Sequence, residues 1–78
     1  MHEHGFTIIS VNMTAMEKAR TSLPSYLQDA LIGSGYDLST GERDHQFKCG
    51  SIADMNEVIG TYRKIASQDK STIAVFHG

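Results

Sequence analysis

The sequence predicts an α+β fold of the ferredoxin-like kind, with the element order β-α-β-β-α-β. The run Phe6–Met13 is strand-like and carries apolar residues at both alternating sets of positions, which is typical of a central strand. Two amphipathic helical stripes are separated by a hairpin pattern, and 78 residues suit one such unit. Right-handed crossovers then give a four-stranded antiparallel sheet of order 4-1-3-2 with both helices on one face.

The first helix is predicted to begin at Thr14, where Thr14 and Glu17 form a capping-box pattern. Its apolar stripe has helical spacing and comprises Met16, Ala19, Leu23, Leu27, Ala30 and Leu31. Pro24 either bends this helix or breaks it, with Ser22 capping a second segment. Because the stripe passes the proline without a phase shift, one bent helix ending at Gly33–Gly35 is preferred.

A hairpin and a second helix complete the predicted order. Alternation predicts strands at Tyr36–Thr40 and His45–Cys49, and the first of them lies at the far edge of the sheet. Ser51 and Asp54 form a second capping pattern, before a helix with a regular apolar stripe. Thr72–Phe76 is the predicted last strand.

Composition bounds the class of protein. The length allows one domain over residues 1–78, with residues 1–5 as a frayed lead-in. Nine acidic and seven basic residues argue against a non-specific nucleic-acid binder. One cysteine, Cys49, cannot form an internal disulfide, so a cytoplasmic location is expected. The chain has no leader pattern and no long apolar run, so no membrane association is expected.

The open face of the sheet is the first candidate binding surface. If Ile9 and Val11 face the helices, four residues face outward together: Phe6, Ile8, Ala74 and Phe76. Such an apolar patch predicts either a homodimer or a docking site for another protein. The opposite parity would leave Ile9 and Val11 outside instead. The edge strand, through Tyr36, Asp37 and Leu38, is a second place for docking by strand addition.

The histidines and the cysteine are weak candidates for chemistry. His2, His4 and His77 could approach one another across two strands, but alternation places His4 and His77 on opposite faces, so no metal site is predicted. Cys49 is expected to be a buried and unreactive thiol. No catalytic motif and no cofactor motif is recognisable, so a non-enzymatic protein without a cofactor is expected.

These observations favour a small protein-interaction module. A regulator or inhibitor of a larger protein or complex, of the sort that phages or mobile elements encode, fits the size and the lack of catalytic motifs. The alternative is a ferredoxin-like domain that binds nucleic acid or a small ligand through Phe6, Lys48 and Phe76.

Overall fold

A computed structural model, which describes residues 3–78, shows an α+β fold with a four-stranded antiparallel sheet and three helices. The strands are β1 (His4–Ser10), β2 (Leu31–Asp37), β3 (Glu42–Cys49) and β4 (Ala74–His77). The helices are α1 (Met13–Ser22), α2 (Ser25–Gln28) and α3 (Ile52–Gln68). His4 and Gly5, which were predicted to belong to a frayed lead-in, lie in β1, so that prediction is wrong for them; Met1 and His2 lie outside the described residues.

The strand order is β2-β3-β1-β4, which reads 4-1-3-2 from the β4 edge. β1 pairs antiparallel with both β3 and β4, and β2 pairs antiparallel with β3. The central position of β1 is therefore confirmed. β2 and β4 are the two edges, and β2 is the longer of them, with seven residues against four.

The core lies between the sheet and the two long helices. Phe6 and Ile8 of β1 and Phe47 of β3 point into it, and the Phe6 and Phe47 rings stack with their centroids 5.5 Å apart. Tyr62 of α3 meets the Phe47 ring edge-on at 5.7 Å between centroids. Burial of these large side chains is the main force that holds α3 on the sheet.

The helix α1 begins at Met13, one residue before the predicted start, and its cap lies two residues before Thr14. The Asn12 side chain, not that of Thr14, accepts the N–H of Ala15 at 3.0 Å and so caps the helix. Ser51 caps α3 as predicted, since its hydroxyl accepts the N–H of Asp54 at 3.1 Å. Both N-termini thus have a side-chain acceptor for one of the otherwise unpaired backbone donors.

Pro24 breaks the first helix, so the preferred interpretation of one bent helix is wrong. Leu23 is extended at the end of α1, and Pro24 precedes the short helix α2, which Ser22 does not cap. The chain then enters β2 at Leu31, five residues before the predicted strand. Gly33–Gly35 accordingly lies inside β2 and does not end a helix. Within residues 3–78, no helix is long and apolar enough to cross a membrane.

Candidate functional site

The open sheet face differs from the predicted apolar patch. Phe6 is 3% exposed and Ile8 is fully buried, so both face the helices and the prediction that they face outward is wrong. The physical reason is register, because both pair with β3 residues whose side chains are also in the core, Phe47 and His45. Ile9 lies on the open face, as the opposite parity predicts. Val11 lies beyond the end of β1 and is exposed.

Ala74 and Phe76 do lie on the open face, in mixed surroundings. Phe76, 58% exposed, stands opposite Thr7 on β1, and Ala74 stands opposite Ile9. The next residue across the sheet from Thr7 is Gln46 on β3. The open face therefore presents one exposed aromatic ring beside both polar residues, Thr7 and Gln46, and apolar ones, Ile9 and Ala74.

The β2 edge is the more apolar exposed surface. No charged residue occurs from Leu31 to Tyr36, and the side chains of Ile32 and Tyr36 are 62% and 44% exposed. Leu38, in the turn after β2, is 90% exposed. Ile32 has no partner on β3, because a bulge lies between Leu31 and Gly33. Of the predicted edge residues, Tyr36 and Asp37 end the strand and Leu38 lies in the turn.

The end of the hairpin is held by Asp37. Its carboxylate oxygen Oδ1 accepts the backbone N–H of Ser39 at 2.9 Å and the Ser39 hydroxyl at 2.6 Å. Its carbonyl oxygen accepts the N–H of Gly41 at 2.8 Å, and Gly41 has φ of 75°, a conformation that favours glycine. The Ser39 hydrogen bonds lower the pKa of Asp37, so the carboxylate is ionised and fixes the turn.

Arg43 supports the edge from the helix side. Its guanidinium lies 5.4 Å from the centre of the Tyr36 ring, and its Nη2 atom lies 4.0 Å from the Met13 sulfur. Together with Thr14 and Glu17, Met13 and Arg43 line an open cleft beside α1. In the part of the chain that the structure describes, no carboxylate lies within 4.0 Å of Arg43. The cleft therefore adjoins the β2 edge and carries both the Arg43 guanidinium and the Glu17 carboxylate on its walls.

A buried polar network lies beneath this cleft. His45 is 1% exposed, and its Nδ1 lies 2.6 Å from the Tyr62 hydroxyl, while its Nε2 lies 3.7 Å from a Glu17 carboxylate oxygen. The Glu17 charge favours a proton on Nε2, which leaves Nδ1 to accept the hydrogen bond from Tyr62. Tyr62 is itself buried, and burial raises the pKa of its hydroxyl. A substrate has no access to that oxygen, so the network serves the core.

Burial lowers the pKa of His45, with an opposing effect from Glu17. The imidazole therefore binds a proton more readily in the unfolded chain than in the folded one. As a result, the contribution of His45 to the free energy of unfolding is complete only at pH values above its ordinary pKa of 6.5. We expect this contribution to be lost as the pH falls below 6.5, by at most about 1.4 kcal/mol per pH unit. Urea unfolding from pH 7.5 to 5.5 should show a shallower pH slope for His45→Gln. Equal slopes in both proteins would contradict the assignment to His45.

The histidines at the strand ends share one face, contrary to the prediction. His4 stands opposite Cys49, and His77 stands opposite Phe6, so both follow the parity of the core side. His2 lies outside the described residues. Among residues 3–78, no group of three or more histidine, cysteine or acidic residues is placed to hold a metal ion. Cys49 is a buried free thiol whose pKa is raised by burial.

Comparison of the chain with protein-family models, with curated proteins and with solved structures finds no match.

Proposed function

We propose that this protein is a non-enzymatic protein-interaction module that binds an extended segment of a partner along β2. The edge residues 31–38, here called the docking edge, carry the proposal. The single supporting observation is that β2, an edge strand without a charged residue from Leu31 to Tyr36, exposes Ile32 and Tyr36, and that the turn after it exposes Leu38.

An edge strand without charged residues can accept another strand. Alternate N–H and C=O groups of an edge strand face away from the sheet and can pair with an added strand. Proteins commonly block such edges with lysine, proline or other charged residues, and β2 has none of these from Leu31 to Tyr36. A bulge lies at the start of the strand, between Leu31 and Gly33, so the regular part of the edge is residues 33–37. Main-chain pairing would supply affinity, and contacts with Ile32 and Tyr36 would supply specificity.

The proposal also covers the type of fold, the location of the protein and its role as a regulator. We assign the sheet and helices to the ferredoxin-like arrangement and place the protein in the cytoplasm, in keeping with its one unpaired cysteine. The proposed role is that of a regulator or inhibitor that acts by occupying a surface of a larger protein. The open face, through Ala74 and Phe76, is the second candidate surface for the same role.

Nucleic-acid or small-ligand binding is the alternative function, favoured by the presence of Phe76 and Lys48 on the same open face. Phe6 is buried and cannot contribute a stacking ring. The Lys48 ammonium lies 3.6 Å from the Glu3 carboxylate, which weakens its attraction for phosphate. Oligonucleotide binding that weakens steeply with added salt would favour this alternative over the docking edge.

The two protein-binding surfaces can be separated by a pair of exposed-residue variants. Ile32→Lys places a charge on the docking edge, and Phe76→Asp places one on the open face. We expect Ile32→Lys to weaken binding of a partner captured from the native host by at least tenfold, because lysine blocks strand addition. Phe76→Asp, the matched control, should retain binding, as measured by quantitative pull-down. Loss of binding in Phe76→Asp alone would assign the function to the open face.

A further inference from the structure

We infer that the partner segment that docks on β2 carries a lysine or arginine across from Gly35, where its cation meets the carboxylate of Asp44 on the open face. This inference rests on the proposed function of β2 as a docking edge and names the chemistry of the segment that β2 binds. The occupant is a basic, extended segment of another protein.

Two acceptor oxygens of β3 lie over the glycines of β2. Asp44 pairs with Gly35 and Gln46 pairs with Gly33, and both alternate with the buried side chains of β3, so they lie on the open face. The Asp44 oxygen Oδ2 lies 3.0 Å from the point where a side chain on Gly35 would begin. The Gln46 oxygen Oε1 lies 3.3 Å from the corresponding point on Gly33. Both oxygens thus lie above β2, on the side of β3 that faces the docking edge.

The distance to the docking edge selects a long side chain. A residue added opposite Gly35 shares the open face with it, and its Cα lies about 10 Å from that of Asp44, two inter-strand spacings away. Because Gly35 has no side chain, nothing on β2 stands between the two groups. Lysine and arginine have the necessary length and end in hydrogen-bond donors, whereas an ionised carboxylate is only an acceptor. A basic side chain therefore fits this position.

The charges around Asp44 also favour a basic partner. Asp37 and Glu42 stand opposite each other at the end of the same face, and like charges in that arrangement are unfavourable. Among residues 3–78, no lysine or arginine nitrogen lies within 4.0 Å of the Asp44 carboxylate. Lys48, at the other end of β3, lies 3.6 Å from the Glu3 carboxylate. An added cation would therefore reduce a repulsion that the hairpin retains by itself.

Three synthetic peptides of equal length probe the inferred charge preference. Each alternates threonine, which favours extended structure, with lysine, glutamine or glutamate, and both ends are blocked. Alternation places every second side chain on one face of the added strand. Titration of each peptide into the isotope-labelled full chain, followed by NMR, gives its Kd and identifies the amides that shift. Dispersed amide signals in the same spectra show that each variant of the chain is folded.

We expect the lysine peptide to bind most tightly and to shift the amides of residues 33–37, and the glutamate peptide to bind least tightly. Asp44→Asn should raise the Kd of the lysine peptide by about two- to fivefold, the effect of one exposed ion pair. Asp44→Lys should invert the order, because the new charge attracts the glutamate peptide. Asp69→Asn, the matched control, removes an equal charge from the exposed end of α3 and should leave all three Kd values unchanged.

Equal Kd values for the three peptides, or equal effects of Asp44→Asn and Asp69→Asn, would overturn the basic preference. Failure of the lysine peptide to bind would overturn it as well. If the three peptides bind equally and shift the β2 amides, only the inference fails and the docking edge stands. If the peptides shift the β4 amides and leave those of β2 unchanged, the proposed use of β2 fails too.

Discussion

Replacement of Phe6 by aspartate is expected to unfold most of the protein, whereas Phe76→Asp should leave it folded. Phe6 is buried and stacked on Phe47, while Phe76 is 58% exposed on an edge strand. Removal of a buried phenylalanine side chain costs about 3–5 kcal/mol, and the unpaired buried carboxylate adds to that cost. A domain of this size has a free energy of unfolding near the low end of about 5–15 kcal/mol.

Circular dichroism and urea unfolding of the two variants provide the measurement. The comparison is strict because both changes convert a phenylalanine into an aspartate in the same sheet. Equal stability of the two variants, or a folded Phe6→Asp with a destabilised Phe76→Asp, would contradict the assignment of Phe6 to the core.

The second large effect is expected for Tyr62→Phe. This change keeps the aromatic ring that packs against Phe47 but removes the hydroxyl that lies 2.6 Å from Nδ1 of His45. A buried His45 nitrogen without its partner costs about 1–3 kcal/mol of unfolding free energy. Urea unfolding at pH 7.5, where His45 is neutral, measures this cost apart from protonation.

A double-mutant cycle supplies the control. His45→Leu with Tyr62→Phe removes both polar partners, and replacement of both is less costly than loss of one. We therefore expect the double variant to be more stable than the sum of the two single losses predicts. Simple additivity of the two changes would contradict a direct hydrogen bond between His45 and Tyr62.

Two elements of the fold can be predicted from a single local pattern in the sequence. The two-sided apolarity of the Phe6–Met13 run correctly indicates a central strand, although β1 ends at Ser10. The Ser51 cap and the apolar stripe that follows it correctly predict α3. In both cases the pattern reflects burial or hydrogen bonding within one segment, which is visible without knowledge of the partners.

The sequence of β1 alone does not predict which of its side chains face the helices, because both alternating sets of positions are apolar. Its register with β3 decides it: Phe6 pairs with Phe47, and Ile8 pairs with His45. Phe47 is flanked by Gln46 and Lys48, so the core side of β3 is unambiguous in the sequence. The sequence thus contains the orientation of β1, but only through its pairing with β3, a strand that is distant in the chain.

The docking edge was predicted only in part, because Leu31 was assigned to the first helix. Leu31 continues the helical stripe after Pro24 in phase, although it lies in β2 opposite Phe47. The sequence predicts Tyr36, Asp37 and Leu38 as edge residues, but it does not predict that Ile32 lies on this edge. The signal available in the sequence was the break at Pro24, since a restart leaves too few residues for a long helix before the glycines.

Amide hydrogen exchange of the wild-type protein, free and with the partner captured from the native host, tests most directly the claim that β2 is the docking edge. We expect the β2 amides that face away from β3 to exchange more slowly when the partner is bound, while the amides of β4 are unchanged. Partner-dependent protection confined to β4, with β2 exchanging at a constant rate, would contradict this claim.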